Sequence, residues 1–108
     1  MDGLSWFDTQ YESLPSLLTQ AGYDVYLSND RGTKNCMRHS TIDPVASPKE
    51  FFDYSYAEIG EYDIPANLNY VKQHIRQGGM TVTYIGFAQG ATALLYGASK
   101  PDKAMYLT

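Results

Sequence analysis

The sequence predicts an α/β fold, a fragment with a short parallel sheet and flanking helices, and three patterns support this. Two short runs, 23–28 and 81–86, are rich in the β-branched and aromatic residues typical of strands. Segments near 13–21, 55–77 and 89–99 have apolar residues at helical spacing. The order α, β, loop, α, β, α is typical of parallel strands joined by right-handed crossovers.

The first helix is expected to begin near Ser13, to accept Pro15 in its first turn and to end at Gly22. Its apolar spacing predicts one buried stripe, formed by Leu14, Leu17, Leu18 and Ala21. After the predicted strand 23–28, residues 29–32 have the composition of a turn. Residues 33–48 show no sustained period and predict a long surface loop.

The second helical region opens with a capping box formed by Ser55 and Glu58. Pro65 interrupts it, so we expect a kink or two abutting helices, with Asp63 as a new N-cap. The buried side of this region is predicted at Ile64, Leu68, Val71 and Ile75, and Gly78-Gly79 is expected to end it. A strand at 81–86 and a helix over about 89–99 complete the predicted fragment.

Length, charge and cysteine content narrow the class of protein. The 108 residues predict one partial domain over 1–108, because complete α/β domains often run to roughly 200–250 residues. The net charge of -4 argues against a nucleic-acid partner. Cys36 is the only cysteine, so an internal disulfide is excluded, and we interpret it as a small buried apolar residue.

The absence of visible targeting sequences and the high tyrosine content predict an intracellular chain that is part of a protein complex. The first six residues lack the basic region and the apolar stretch of a signal peptide, and no transit peptide is visible. No apolar run approaches the roughly 18 residues needed to span a bilayer. Ten tyrosines favour a protein partner, and an aromatic cluster fits either core packing or a partner-facing patch: Phe51, Phe52, Tyr54 and Tyr56.

The five residues Gly86-Phe87-Ala88-Gln89-Gly90 have the pattern of a nucleophile elbow without its nucleophile. In Gly-x-Ser-x-Gly, a strained turn between a strand and a helix exposes the serine, and glycines allow the two elements to pass close together. Ala88 stands at the central position, and a methyl group cannot attack a carbonyl carbon. The N–H of Gln89 would face an oxyanion position and hold a small anion or a water, unless the elbow persists for packing alone.

Several further motifs occur in order along the chain. They are Ser13–Leu18, Ala21–Gly32, Arg38-His39, Pro48–Ser55, Glu58 with Tyr62–Ala66, and Gly86-x-x-Gln89-Gly90. This ordered set, which covers about residues 6–100, resembles the acid lipases, the gastric and lysosomal triglyceride and cholesteryl-ester hydrolases. The resemblance implies an α/β-hydrolase fold and hydrolysis of neutral lipid esters, with the nucleophile at the position of Ala88.

The sequence departs from that family at the residues that carry its chemistry. Ala88 replaces the family serine, and Phe87 replaces the histidine before it. The acid and then the histidine follow the nucleophile in such hydrolases, whereas Asp102 is the only carboxylate side chain after Ala88 and no histidine follows it. His39 and His74 precede the elbow, and we interpret both as structural. No cluster has metal-ligand spacing, so no metal or cofactor is predicted.

Three functions remain open at this point. The first is a catalytically inactive, acid-lipase-like subunit with a structural role, in which other protein chains cover the incomplete sheet. The second is part of a lipase that hydrolyses triglyceride or cholesteryl ester, with its serine replaced by Ala88. The third is a lipid-binding module with a cleft lined by Phe87 and its neighbours.

Overall fold

The computed structural model describes residues 3–7, 12–75 and 81–102, and the chain separates into two compact units, Met1–Met37 and Arg38–Thr108. In the first unit, a 3₁₀ helix covers Gly3–Phe7 and helix α1 covers Leu14–Gln20. The second unit contains α2 (Pro48–Phe51), α3 (Tyr56–Glu58), a π-helical turn (Ile59–Asp63), α4 (Ile64–His74) and α5 (Gln89–Ala98). The single domain over 1–108 stays a prediction.

The predicted α/β fold with a short parallel sheet is wrong. The described part of the chain contains helices and no β-strand. Residues 23–30 and 81–87 are neither helix nor strand, and no backbone ladder joins the described residues there. A strand exists only when its N–H and C=O groups pair with a neighbouring strand, so β-branched composition alone does not make one.

Helix α1 begins and ends where the sequence predicts. The Ser13 hydroxyl accepts a hydrogen bond from the N–H of Ser16 at 3.4 Å, Pro15 lies in the first turn, and Gly22 has a φ of +94° after the last turn. The predicted buried stripe is wrong, because Leu14 and Leu17 are 41% and 45% exposed. Apolar spacing marks a face that is able to be buried, and it does not supply the element that covers that face.

The capping box at the start of α3 is present, and it leads into an unbroken helical segment. The N–H of Ser55 donates to the Glu58 carboxylate at 2.7 Å, while the Ser55 hydroxyl accepts from the N–H of Ala57 at 3.2 Å. Before Pro65 the helix widens into the π-helical turn, in which the N–H of Ile64 donates to the carbonyl of Ile59. Asp63 precedes α4 without a side-chain cap hydrogen bond, so the predicted N-cap role is wrong.

The core of the second unit joins this segment to α5. Its buried members are Ile59, Ile64, Leu68 and Ala93. Gly60 and Gly97 lie where the π-helical turn crosses α5, and a Cβ on Gly97 would fall inside contact distance of the Gly60 carbonyl oxygen. The predicted buried residues Ile64 and Leu68 are therefore confirmed, whereas Val71 and Ile75 are half-buried. Gly78 and Gly79 lie outside the described residues.

Candidate functional site

The backbone turn at Ala88 has the most unusual local geometry among the described residues of the second unit. Ala88 has a φ of 51° and a ψ of -117°, and among the described residues no other non-glycine residue has a positive φ. Such conformations cost of the order of 1–3 kcal/mol and persist where the surroundings hold them. Ala88 directly precedes α5, so the helix axis and the strained turn together fix where its methyl group lies.

Gly86 allows the segment before the turn to pass close to the start of α5. A Cβ on Gly86 would lie 2.9 Å from the backbone nitrogen of Ala91 and 2.8 Å from a ring carbon of Tyr84. Contacts this short require the backbone to move. A Cβ on Gly90 would instead meet the Tyr84 hydroxyl at 3.6 Å, an ordinary contact. The predicted steric need for glycine therefore holds at Gly86 and is wrong at Gly90.

Hydrogen bonds across the turn tie it to the first turn of the helix. The carbonyl of Phe87 accepts from the N–H of Gly90 at 3.0 Å, and the carbonyl of Ala88 accepts from the N–H of Thr92 at 3.2 Å. The Tyr84 hydroxyl donates to the carbonyl of Gly90 at 3.3 Å. Tyr84 thus links the approach to the turn with the helix beyond it. The sequence analysis did not identify Tyr84. The available signal was a tyrosine two residues before Gly86, because a glycine at that position leaves space for the tyrosine ring.

The tip of the turn faces solvent in the described part of the chain. Phe87 is 61% exposed, and Ala88 and Gln89 are both exposed. Among the described residues, no acceptor takes a hydrogen bond from the N–H of Gln89. The arrangement offers one backbone donor beside a methyl group, and it contains no atom at Ala88 that can act as a nucleophile or pass on a proton.

The two histidines form hydrogen bonds within their own segments. The Nδ1 atom of His39 accepts from the backbone N–H groups of Thr41 and Ile42, at 3.1 Å and 3.0 Å. His74 Nδ1 lies 2.6 Å from the carbonyl oxygen of Tyr70, and the two rings stack at 3.9 Å. His39 thus caps a turn of the backbone within its own loop.

The predicted aromatic cluster divides into two groups. Phe51, Phe52 and Tyr54 follow one another, with ring centres 4.9 Å and 6.4 Å apart, and Phe51 alone is buried. Tyr56 instead packs edge-on against Tyr96 of α5 at 5.7 Å. The Lys100 ammonium lies 4.7 Å from the centre of the Tyr96 ring, and its side-chain hydrogen bond with Tyr96 raises the pKa of Lys100.

In the part of the chain that the structure describes, Cys36 and the acidic side chains form no second candidate site. The Cys36 thiol is half-buried and donates to the carbonyl of Asn29 at 3.3 Å. Residues 3–7, 12–75 and 81–102 contain no group of three or more histidine, cysteine or acidic side chains placed to hold a metal ion. Within the same ranges, every helix is too short or too polar to cross a bilayer.

Comparison with known proteins relates the chain to lipases. It is 36% identical over 91 residues to the tear acid lipase-like protein of Mesocricetus auratus, covering 84% of this chain and 22% of that protein. It is 38% identical over 80 residues to the human lysosomal acid lipase/cholesteryl ester hydrolase, covering 74% of this chain and 19% of the relative. A probable lipase of Schizosaccharomyces pombe is 42% identical over 74 residues, which is 68% of this chain and 15% of the relative.

The chain is related to the acid lipases over most of its own length. It spans about a fifth of the length of the curated relatives it matches. No family model matches the chain, and no solved structure matches it. The resemblance to the acid lipases was predicted from the ordered motifs, and that prediction is confirmed.

Proposed function

We propose that this chain is a non-hydrolytic member of the acid lipase family that serves as a structural or interaction component of a larger assembly. One observation carries the proposal: Ala88 occupies the strained turn before α5, where a hydrolase of the family's kind exposes its serine. The turn has an uncommon backbone conformation, and the methyl group of Ala88 can neither attack a carbonyl carbon nor transfer a proton.

The absence of a serine hydroxyl at residue 88 has a large effect on the expected rate of ester hydrolysis. Removing the nucleophile of a serine hydrolase costs on the order of 10⁶ in kcat, which corresponds to about 8 kcal/mol of transition-state stabilisation. In this proposal, the N–H of Gln89 can still donate a hydrogen bond to a negatively charged oxygen beside Ala88. It cannot form a covalent intermediate. The proposal therefore gives the turn a role in packing and binding.

Exposed apolar side chains around the turn support an interaction role. Ile85, Phe87 and Leu95 are 48%, 61% and 71% exposed, respectively. Apolar side chains of this size gain about 25 cal/mol for each Å² that a partner removes from water. In the proposed role, another protein chain covers these side chains in the assembly.

The first test is identification of the native protein and its companions. The protein is isolated from its source, and mass spectrometry reads residue 88 and every chain that co-purifies. Alanine at residue 88 together with stoichiometric partners that are not lipases supports the structural role. Serine at residue 88, or a partner that carries an acid and a histidine for a triad, overturns it.

A second test separates loss of the nucleophile from loss of the whole machinery. The full natural protein and its Ala88→Ser variant are treated with a fluorophosphonate probe and assayed on a neutral lipid ester, with Ala98→Ser on the same helix as the matched control. We expect no labelling and no hydrolysis in any of the three. Hydrolysis by the natural protein contradicts the proposal directly.

The alternative function is part of a lipase that acts on neutral lipid esters, and the strained backbone at Ala88 is the observation that favours it. If this alternative is correct, Ala88→Ser alone becomes labelled and hydrolyses ester, while Ala98→Ser stays inert. That result would mean that the substitution at residue 88 is the single defect in an otherwise complete site.

A further inference from the structure

We infer that His39 makes the segment 38–47 a proton-sensitive turn, which is closed when the imidazole is neutral and opens when it is protonated. The inference is independent of the proposed function. It rests on the two hydrogen bonds that one ring nitrogen accepts from the backbone.

The two hydrogen bonds fix the protonation state of the ring. The N–H groups of Thr41 and Ile42 both point at Nδ1 of His39, at 3.1 Å and 3.0 Å. A nitrogen that accepts hydrogen bonds must carry a lone pair, so the single ring proton resides on Nε2. A second proton on Nδ1 would face both amide hydrogens and would break both hydrogen bonds.

The surroundings give the protonated ring little compensation. Thr41 Oγ1 lies 3.5 Å from Nδ1, at the limit of hydrogen-bond distance. The described element packed against the ring is α2, through the edge of Phe51 at 6.3 Å. The charged residues of segment 38–47 and of this helix are exposed: Arg38, Asp43, Lys49 and Glu50.

A second turn in the same segment uses a different acceptor. The Asp43 carboxylate accepts from the N–H groups of Val45 and Ala46 at 2.8 Å and 3.4 Å, and the carbonyl of Asp43 accepts from Ser47 at 2.8 Å. A carboxylate keeps its acceptor role down to about pH 4, whereas a histidine changes charge between about pH 5 and 8. Protonation of the His39 ring therefore opens its own turn, whereas the turn at Asp43 depends on a different acceptor.

His74 provides the internal contrast. Its Nδ1 lies 2.6 Å from the carbonyl oxygen of Tyr70, and a carbonyl only accepts, so this nitrogen must donate. The two histidines thus carry their single proton on opposite ring nitrogens. Protonation of His74 adds a proton at Nε2 and leaves its hydrogen bond in place.

Hydrogen–deuterium exchange on the full natural protein, with its accompanying chains, tests the inference. Exchange is measured at pH 7.5 and pH 5.5 with residue-level mass spectrometry, and the rates are corrected for the pH dependence of chemical exchange. We expect exchange at Thr41 and Ile42 to accelerate at the lower pH, by at most about fivefold for each hydrogen bond lost, with no change at Val45 and Ala46.

Three variants make the outcome decisive. His39→Asn keeps a side-chain acceptor that does not titrate, so its turn should stay closed at both pH values. His74→Asn should behave as the natural protein does at Thr41 and Ile42, and Asp43→Asn should leave the acceleration at these two amides unchanged. The inference is overturned if Thr41 and Ile42 exchange equally at the two pH values, or if His39→Asn retains the acceleration.

Discussion

The two glycines of α5 have different surroundings, and substituting each by alanine tests how tightly the core is packed. At Gly97 a Cβ would fall inside contact distance of the Gly60 carbonyl oxygen and 2.9 Å from the Gly60 carbonyl carbon. Both obstacles are backbone atoms, so no side-chain rotation relieves the contact. At Gly90 the nearest atom would be the Tyr84 hydroxyl at 3.6 Å, which is ordinary contact.

These contacts give the sign and size of each effect. Alanine is favoured over glycine within a helix by about 1 kcal/mol, whereas overpacking a core costs about 1–3 kcal/mol. With backbone as the obstacle, we expect Gly97→Ala to lower the free energy of unfolding by about 2 kcal/mol. Gly90→Ala, which meets no obstacle, should raise it by up to about 1 kcal/mol.

Thermal and urea unfolding, followed by circular dichroism, measure both variants beside the natural protein. In a domain of this size, 1 kcal/mol shifts the midpoint by about 4–8 °C, so Gly97→Ala should melt about 8–16 °C lower. Equal stability of the natural protein and Gly97→Ala would refute the close crossing of Gly60 and Gly97. Destabilisation by Gly90→Ala of the same size as by Gly97→Ala would show that glycine is needed for another reason.

Three further substitutions give distinct expected results in urea unfolding of the same protein. Ala88→Gly should raise the free energy of unfolding by about 1 kcal/mol, because relief of the positive φ exceeds the entropic cost of glycine; a loss equal to that of Ala98→Gly would contradict this. Ser55→Ala should lower it by about 1 kcal/mol through loss of the capping box, and an unchanged midpoint would exclude the cap as a stabilising feature. Tyr84→Phe, which removes one hydroxyl, should lower it by about 1 kcal/mol, and no effect would mean that the hydrogen bond to Gly90 contributes nothing.

The local helix signals were readable from the sequence because they depend on neighbouring residues alone. Ser13 with Pro15 marks the start of α1, and Ser55 with Glu58 marks the start of α3. The helix after the turn at Ala88 was predicted over about 89–99 and lies at Gln89–Ala98. At α1 and α3, a capping side chain or a proline decides where the helix begins within four residues, so no distant contact is required.

The sheet and the buried face of α1 were not predictable in the same way. A run such as 81–86 has strand composition, yet a strand requires hydrogen-bond partners that the run itself does not contain. The exposed Leu14 and Leu17 make the same point for a helix face. The same distinction applies to the candidate site. The motif identified Ala88 as the central residue, but the contact of the Tyr84 ring with Gly86 depends on the three-dimensional structure.

The π-helical turn before Pro65 makes the core sensitive to the number of residues between Ile59 and Ile64. Its hydrogen bond spans five residues, one more than in an α-helix, and Ile59 therefore shares the buried side with Ile64. Deleting Glu61 would convert the turn to ordinary α-helix and rotate every later residue of α4 by about 100° relative to Ile59. Leu68 would then leave the core, so this segment should accept substitutions in related sequences and should resist deletions.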